Sequence, residues 1–511
     1  MSTRLKQVAI FGAALTLSAC TAFGPPRNPP KMPEPEHYSV RAQGASTVPG
    51  AVTAQGTQLP AADGVAQTLA TGGHPVSEWW KAYESDELNQ LVEEGLKNSP
   101  SLASAQSTLK AAREQLRSQI GNSMLPSIDV GFDPSRQRAL GIPISVPNVP
   151  KSQIQTFLYD TFAAEVQTSY TLDFFGAAFL ADRALASQIK EQAFQLEATR
   201  RGLATNIVTA VINAAALHEQ VEATERLVEL GEQRAQQTAA RYKLGSASKD
   251  EMLAAEQDAA NTAATLPALR AQESAMRHTL AVLLGRTPDR APEPMSLDAL
   301  HVPETVPVSV PSDLLHQRPD ILAAEAAVRA TADEAGAATA SMFPSLTLTA
   351  AYGRGGFDWS TFTSPAGAIW SAGASLTQPI FHGGALVARK HQYEATYEAA
   401  VSEYKQTVLS AFKNVADTLV SLEEDANTLK QTQRAEVAAH DTESNTESRY
   451  KLGATPFYAT LTAGQQYESA HAQHVRARAA RLADTAVLFD AMGDPPAVGR
   501  EKATLREAEG K

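Results

Sequence analysis

Polar and apolar residues alternate with a period of two in four short stretches of this chain. Across 127–133, Ile128, Val130 and Phe132 oppose Ser127, Asp129, Gly131 and Asp133. Across 162–173, Phe162, Ala164, Val166, Tyr170 and Leu172 oppose Glu165, Gln167, Ser169, Thr171 and Asp173. Leu346, Leu348 and Tyr352 then oppose Ser345, Thr347 and Thr349, and Trp370, Ala372, Ala374 and Leu376 oppose Ser371, Gly373, Ser375 and Thr377. Such alternation predicts strands with one apolar and one polar face. A sheet half-packed on a soluble core would carry it, and so would membrane strands, which the strand length and terminal aromatics also fit. The predicted strands lie near 126–137, 160–173, 345–354 and 368–380.

The pattern changes to helical after each strand pair. Residues 180–242 hold no proline and only Gly202 and Gly231 as glycines. At about 1.5 Å per residue they would run roughly 95 Å, and 386–450 would run a similar length. Ile189, Leu196, Leu203, Ala210 and Leu217 recur every seven residues, the seam of a coiled-coil-like packing. Charged and Gln residues interrupt the remaining surface, so these helices are predicted to stand in water. A soluble coiled-coil rod is the plain alternative.

The chain repeats itself. Arg241-Tyr242-Lys243-Leu244-Gly245 recurs at Arg449-Tyr450-Lys451-Leu452-Gly453, and Leu125-Pro126-Ser127-Ile128 is echoed by Phe343-Pro344-Ser345-Leu346. Leu172-Asp173-Phe174-Phe175-Gly176 is loosely matched by Gln378-Pro379-Ile380-Phe381-His382-Gly383. Three motifs in one order at nearly one offset imply a duplicated unit far longer than a solenoid repeat. We divide the chain into a leader (1–19), a Pro-, Gly- and Ala-rich tether (20–75), a first repeat (76–290), a linker (291–315), a second repeat (316–494) and a polar tail (495–511).

At the amino end, Arg4 and Lys6 precede an apolar run from Val8 to Leu17, too short to span a bilayer and suited to an export signal. Leu17-Ser18-Ala19-Cys20 is similar to a lipoprotein processing site, in which Cys20, the only cysteine, would carry the lipid. An ordinary signal with a chance cysteine is the other reading. Thr21 in place of Asp favours the outer membrane by the bacterial sorting rule. The net charge of -12 argues against a nucleic-acid partner, because phosphate binding needs an excess of Lys and Arg. No later stretch offers a transmembrane helix, so an outer-membrane role requires strands.

Four membrane-length strands cannot close a barrel, and an open edge in hydrocarbon leaves backbone groups unpaired. The strands must therefore be pooled between chains: two copies give eight and three give twelve. Twelve begin to leave a lumen, so a trimer is preferred.

These residues together resemble the TolC-type outer-membrane efflux proteins, within the lipid-anchored NodT and OprM-like branch. The resemblance covers about 76–494. Its sharpest blocks are Leu314 to Ile321 (Leu-Leu-His-Gln-Arg-Pro-Asp-Ile), the stretch around Phe343-Pro344-Ser345, Gln378-Pro379-Ile380-Phe381, Leu283-Leu284-Gly285, and both Arg-Tyr-Lys-Leu-Gly turns. It implies a mixed α and β membrane protein whose repeats each supply two strands and a long helical hairpin. A homotrimer would form a 12-stranded β-barrel in the outer membrane of a Gram-negative bacterium and an α-helical barrel in the periplasm. The implied partners are a periplasmic adaptor protein, an inner-membrane transporter of the RND type and outer-membrane lipid. The implied function is passive export of small toxic compounds or drugs. Protein secretion through the same duct, or a non-conducting lipid-anchored rod, are the alternatives.

No nucleophile, phosphate-loop or zinc spacing is found, and no enzyme activity, metal or cofactor beyond the lipid on Cys20 is expected. His471 and His474 could share a helix face and read as surface residues. Gly245 and Gly453 would end long helices as positive-φ caps. The resemblance adds that Gly245, Ser246, Gly453 and Ala454 form the tip where the adaptor docks. It places a periplasmic gate near Tyr458 and Thr462, with Thr462 standing where relatives often carry an acid. Asp129, Asp133, Glu165 and Asp173 would line the barrel and favour cations, unless some sit solvated in rim loops.

Overall fold

The computed structural model describes residues 23–32, 57–58, 67–71, 77–140, 156–308 and 311–493. Cys20, the leader and the tail after 493 lie outside them. In chain order the elements are β1 (Thr57–Gln58), β2 (Thr68–Thr71), α1 (Asp86–Asn98), α2 (Pro100–Met124), β3 (Ser127–Leu140) and β4 (Thr156–Leu172). They continue with α3 (Ala177–Lys243), α4 (Lys249–Leu283), β5 (Thr305–Val308), α5 (Pro311–Gln317), α6 (Pro319–Ala340) and β6 (Ser345–Gly356). The last are α7 (Trp359–Thr363), β7 (Ala368–Thr377), α8 (Ala385–Lys451) and α9 (Phe457–Met492).

The duplication is visible in element length. The helices α3 and α8 each have 67 residues, and α4 and α9 have 35 and 36. At about 1.5 Å per residue α3 and α8 each run about 100 Å. Proline opens α2 and α6, where its missing N–H is not needed.

The chain divides into two compact units. The first comprises residues 1–30, 110–190 and 325–403. It contains a four-stranded antiparallel sheet in the order β3-β4-β6-β7. Its helical core is small-residue packing: Ala326, Val328, Ala330, Ala335 and Leu180 are buried. Residues 23–30, inside the stretch read as tether, belong to this unit. The Phe23 ring lies 5.0 Å from Phe343, which in turn stacks on Phe175. The Arg27 guanidinium pairs with Asp333 at 2.9 Å, and Arg183 reaches the other oxygen of the same carboxylate at 2.6 Å.

The second unit holds residues 31–109, 191–324 and 404–511. Within the expected linker 291–315, β5 pairs in parallel with β2, and β1 completes a small sheet. The core gathers Trp79, Trp80, Tyr83, Leu88, Ile207, Ile212, Leu297 and Leu482. The Tyr83 hydroxyl donates to the Leu482 carbonyl at 2.8 Å, and Trp79 stacks on Phe489 at 5.4 Å. The carbonyls at the end of α9 are satisfied by arginines: Arg201 donates to Phe489 O at 2.8 Å and Arg318 to Ala491 O at 2.9 Å. Asp320 holds the Arg318 guanidinium at 2.6 and 3.0 Å. The Arg318-Pro319-Asp320 block is thus a helix cap, a helix start and a clamp in three residues.

Candidate functional site

The sheet separates its faces by register. Ser127 pairs with Ser169, Asp129 with Gln167, Gly131 with Glu165 and Asp133 with Ala163. Glu165 pairs in turn with Gly353, Gln167 with Ala351 and Ser169 with Thr349, and Thr349 pairs with Gly373. This face carries Ser, Thr, Gly, Gln and three acids, with Ala163, Ala351 and Ile369 among them. The opposite face carries Ile128, Val130, Phe132, Val166, Leu348, Tyr352, Trp370 and Leu376. Val130 is 80% exposed and Trp370 77%, so among the described residues no layer covers the apolar side. An uncovered apolar face of this size marks a surface that another phase or partner must cover. The sheet order leaves β3 and β7 as edges, each with a partner on one side only among the described residues.

Asp129, Asp133 and Glu165 therefore share the polar face. Asp173 does not lie in the sheet. The strand ends at Leu172, and the Asp173 carboxylate accepts the Phe179 N–H at 2.9 Å at the start of α3. Below the strands, Ser127, Ser169, Thr171 and Thr377 line a cleft of about 970 Å³ together with Phe174, Phe175 and Ile380.

The two helical turns have one geometry. Gly245 has φ +74° and Gly453 φ +71°. The Ser246 N–H donates to Arg241 O at 2.9 Å, and the Ala454 N–H to Arg449 O at 2.8 Å, the long bond of a Schellman cap. A positive φ is open to glycine at little cost, which explains the fifth position of the repeated pentapeptide. Gly245, Ser246, Gly453 and Ala454 are all exposed. So are Leu244 at 83% and Leu452 at 84%. These leucines were not singled out from the sequence, although both pentapeptides contain one. After the first turn, Ser248 and Glu251 make a reciprocal capping box that starts α4.

Tyr458 is the second residue of α9. Its phenolic oxygen accepts a hydrogen bond from Arg234 at 2.8 Å, and the Arg234 guanidinium sits 5.0 Å from the ring centre. Arg241 approaches the same ring at 5.8 Å, and Arg234 also donates to Gln465 at 3.0 Å. The Thr462 hydroxyl is spent on its own helix, donating to Tyr458 O at 3.2 Å. Arg234 is the residue that sequence reasoning missed here. It precedes Arg241 by seven residues and so shares its helix face.

Farther along α9, His471 and His474 are half-buried and share Glu436 of α8. His471 meets one carboxylate oxygen at 2.6 Å and His474 meets the other. Burial pushes Glu436 up, but the hydrogen bonds and charge of the two histidines outweigh it and hold the carboxyl below its usual range. With His218, Glu222 and Arg478 they line a cavity of about 580 Å³. Among the described residues no cluster of His, Cys, Asp and Glu is placed to hold a metal ion.

A bare amphipathic sheet, joined to helices of about 100 Å in a duplicated order, is the architecture of the TolC-type outer-membrane channels. The chain belongs to the outer membrane efflux protein family, whose model matches residues 91–286 and 310–494. Among curated relatives it is 30% identical to the pyoverdine export outer membrane protein OpmQ of Pseudomonas putida, over 82% of this chain and 88% of that one. It is 24% identical to nodulation protein T of Rhizobium leguminosarum bv. trifolii, over 91% and 92%. Among solved structures, the outer-membrane channel OprN superposes with a TM-score of 0.73 at 24% identity, covering 88% of this chain and 99% of that one. No helix among the described residues is long and apolar enough to cross a membrane.

Proposed function

We propose that three copies of this chain form the outer-membrane exit duct of a tripartite efflux system. The duct passively conducts small toxic compounds passed on by a periplasmic adaptor and an inner-membrane transporter of the RND type. The observation that carries this is the sheet: four strands with an uncovered apolar face and two open edges. In hydrocarbon each unpaired backbone group costs several kcal/mol. Joining β3 of one copy to β7 of the next removes every edge, and three copies supply enough strands for a lumen. The apolar residues then face lipid and Asp129, Asp133 and Glu165 face the lumen.

The other parts fall into place on this reading. Gly245, Ser246, Gly453 and Ala454, with Leu244 and Leu452 between the arms of each turn, are the adaptor's contact. Tyr458 and Thr462 mark the periplasmic constriction, held by Arg234. The lipid is carried on Cys20, whose chain reaches at most about 10 Å before Phe23; Phe23 in turn is packed against Phe343 just before β6. The export function of OpmQ supports an exported small molecule as the cargo.

Purified full-length protein tests the proposal by mass measurement in detergent and by currents in planar bilayers. Trimers that conduct are expected. A monomer, or a trimer without currents, would overturn it.

A further inference from the structure

The charged side chains of the four strands are divided by face. The polar face holds only acids, Asp129, Asp133 and Glu165; the apolar face holds Arg136, Arg138 and Arg354 with one acid, Asp160. The arginines also have a fixed height. Starting beside the helices, the apolar face rises from Leu172, Leu346 and Leu376 through Val166, Val130 and Trp370 to a cluster of rings. There Phe162 packs on Trp359 at 5.6 Å and Phe132 on Phe362 at 6.0 Å. From Leu172 to Phe162 is about 33 Å of strand at ~3.3 Å per residue, or about 25 Å of height at a tilt near 40°, the apolar band of an outer-membrane barrel. Arg136 and Arg138 come next, two and four positions beyond Pro134, the partner of Phe162. Both are exposed. Arg136 faces Asp160 at 3.6 Å. The Arg354 guanidinium is taken up by the Thr363 and Ser364 carbonyls at 2.6 and 3.3 Å, where it ties α7 to β6.

We propose that Arg136 and Arg138 form a lipid-facing basic collar that binds the phosphate groups of the glycolipid in the outer leaflet. The inference rests on reading the sheet as membrane-spanning. A guanidinium just above an aromatic belt lies at the headgroup level, and its planar fork takes phosphate oxygens two at a time. Along the strands at this height the apolar face carries two guanidiniums, Arg136 and Arg138, against the single carboxylate of Asp160. The occupant is a lipid rather than free phosphate because the same face continues downward without interruption as Phe132, Val130 and Ile128. Acyl chains attached to the bound phosphates would cover those side chains, whereas a free ion would leave them bare. The polar face at the same height offers Ser135, Gln137, Tyr159 and Thr161 and no cation, so the collar exists only on the side that meets lipid.

The test is native mass spectrometry of the full-length protein with diphosphorylated lipid A, the same lipid after phosphatase treatment, and inorganic phosphate. Wild-type protein is expected to retain the phosphorylated lipid in preference to the dephosphorylated form by about tenfold. Inorganic phosphate is expected to compete only at large excess. The R136Q/R138Q variant should lose the preference, while R136K/R138K, which keeps charge without the fork, should retain part of it. Equal retention of both lipid forms by wild-type protein, or displacement by equimolar inorganic phosphate, would overturn the inference, whether or not the variants fold. An unchanged preference in R136Q/R138Q would do the same. Bilayer currents separate the two levels: currents with no lipid preference overturn the collar alone, and no currents from wild-type protein overturn the collar and the spanning sheet together.

Discussion

Arg234 and Tyr458 are joined twice, by a hydrogen bond of 2.8 Å to the phenolic oxygen and by a guanidinium 5.0 Å from the ring centre. The contact ties α3 of the first repeat to α9 of the second, close to both turns. A hydrogen bond to a charged group contributes about 1.5–3 kcal/mol and a cation–π contact about 0.5–2 kcal/mol. Tyr458→Phe removes the first and keeps the second; Tyr458→Ala removes both. If this latch holds the constriction, mean current in planar bilayers should rise in the order wild type, Phe, Ala, by on the order of tenfold at the first step. Three trimeric proteins of equal conductance would show that the latch is structural only.

The strands were legible because alternation survives any packing context that buries one face. Their ends were less so. The apolar signal stops before Arg136, yet β3 runs to Leu140 because backbone pairing with β4 continues past the point where polar and apolar residues cease to alternate by face. Asp173 keeps the period-two pattern by coincidence, while its carboxylate is already capping α3. The glycine turns were legible because positive φ restricts the residue type. The Arg234–Tyr458 latch and the Glu436–His471–His474 cluster were not, since each joins helices through partners that no local spacing relates. Residues 23–32 read as tether because Pro and Gly dominate them, and their anchors, Phe343 and Asp333, lie over three hundred residues away.

Those anchors make a second prediction. Asp333, with its side chain 1% exposed, receives both Arg27 and Arg183. Gly24, at φ +106°, has no room for a Cβ, which would stand 2.9 Å from Gly336 Cα. Arg27→Ala removes only the partly exposed partner, worth about 0–1 kcal/mol, so melting should hardly change while trypsin cuts faster at Lys31. Asp333→Asn leaves Arg183 without its buried counter-charge and should cost about 3–5 kcal/mol, seen as a lowered Tm. Identical cleavage rates in Arg27→Ala and wild type would mean that the ion pair does not hold this segment in place.

A third prediction concerns pH. Asp425 of α8 and Asp484 of α9 share a hydrogen bond. Burial, the Asp484 charge and that bond push Asp425 up to about 6, with Arg481 pulling the other way. Between its ordinary value and about 6 the folded protein holds a proton that the unfolded chain has released. Stability therefore falls as pH rises through that window, and the loss is complete above about 6. Asp425→Asn keeps a hydrogen-bonding group and removes the charge. It should raise Tm by about 1–2 °C at pH 8 and give no gain at pH 4. A gain of equal size at both pH values would rule out the shared proton as its cause.

The last prediction separates the lumen acids from the cap. Asp129, Asp133 and Glu165 share a face that carries no arginine or lysine. In a closed barrel their summed field raises the local concentration of cations. Neutralising all three as Asn, Asn and Gln should bring the cation-to-anion permeability ratio close to unity, read from reversal potentials in a salt gradient. Asp173→Asn should leave the ratio in place, because its carboxylate bonds the Phe179 N–H. Its cost should appear as about 0.5–1 kcal/mol of stability instead. A wild-type pore selective for anions, or a triple variant with unchanged selectivity, would mean that these carboxylates do not set the field of the lumen. A larger loss of selectivity from Asp173→Asn than from the triple variant would move the selective element out of the sheet and down to the start of α3.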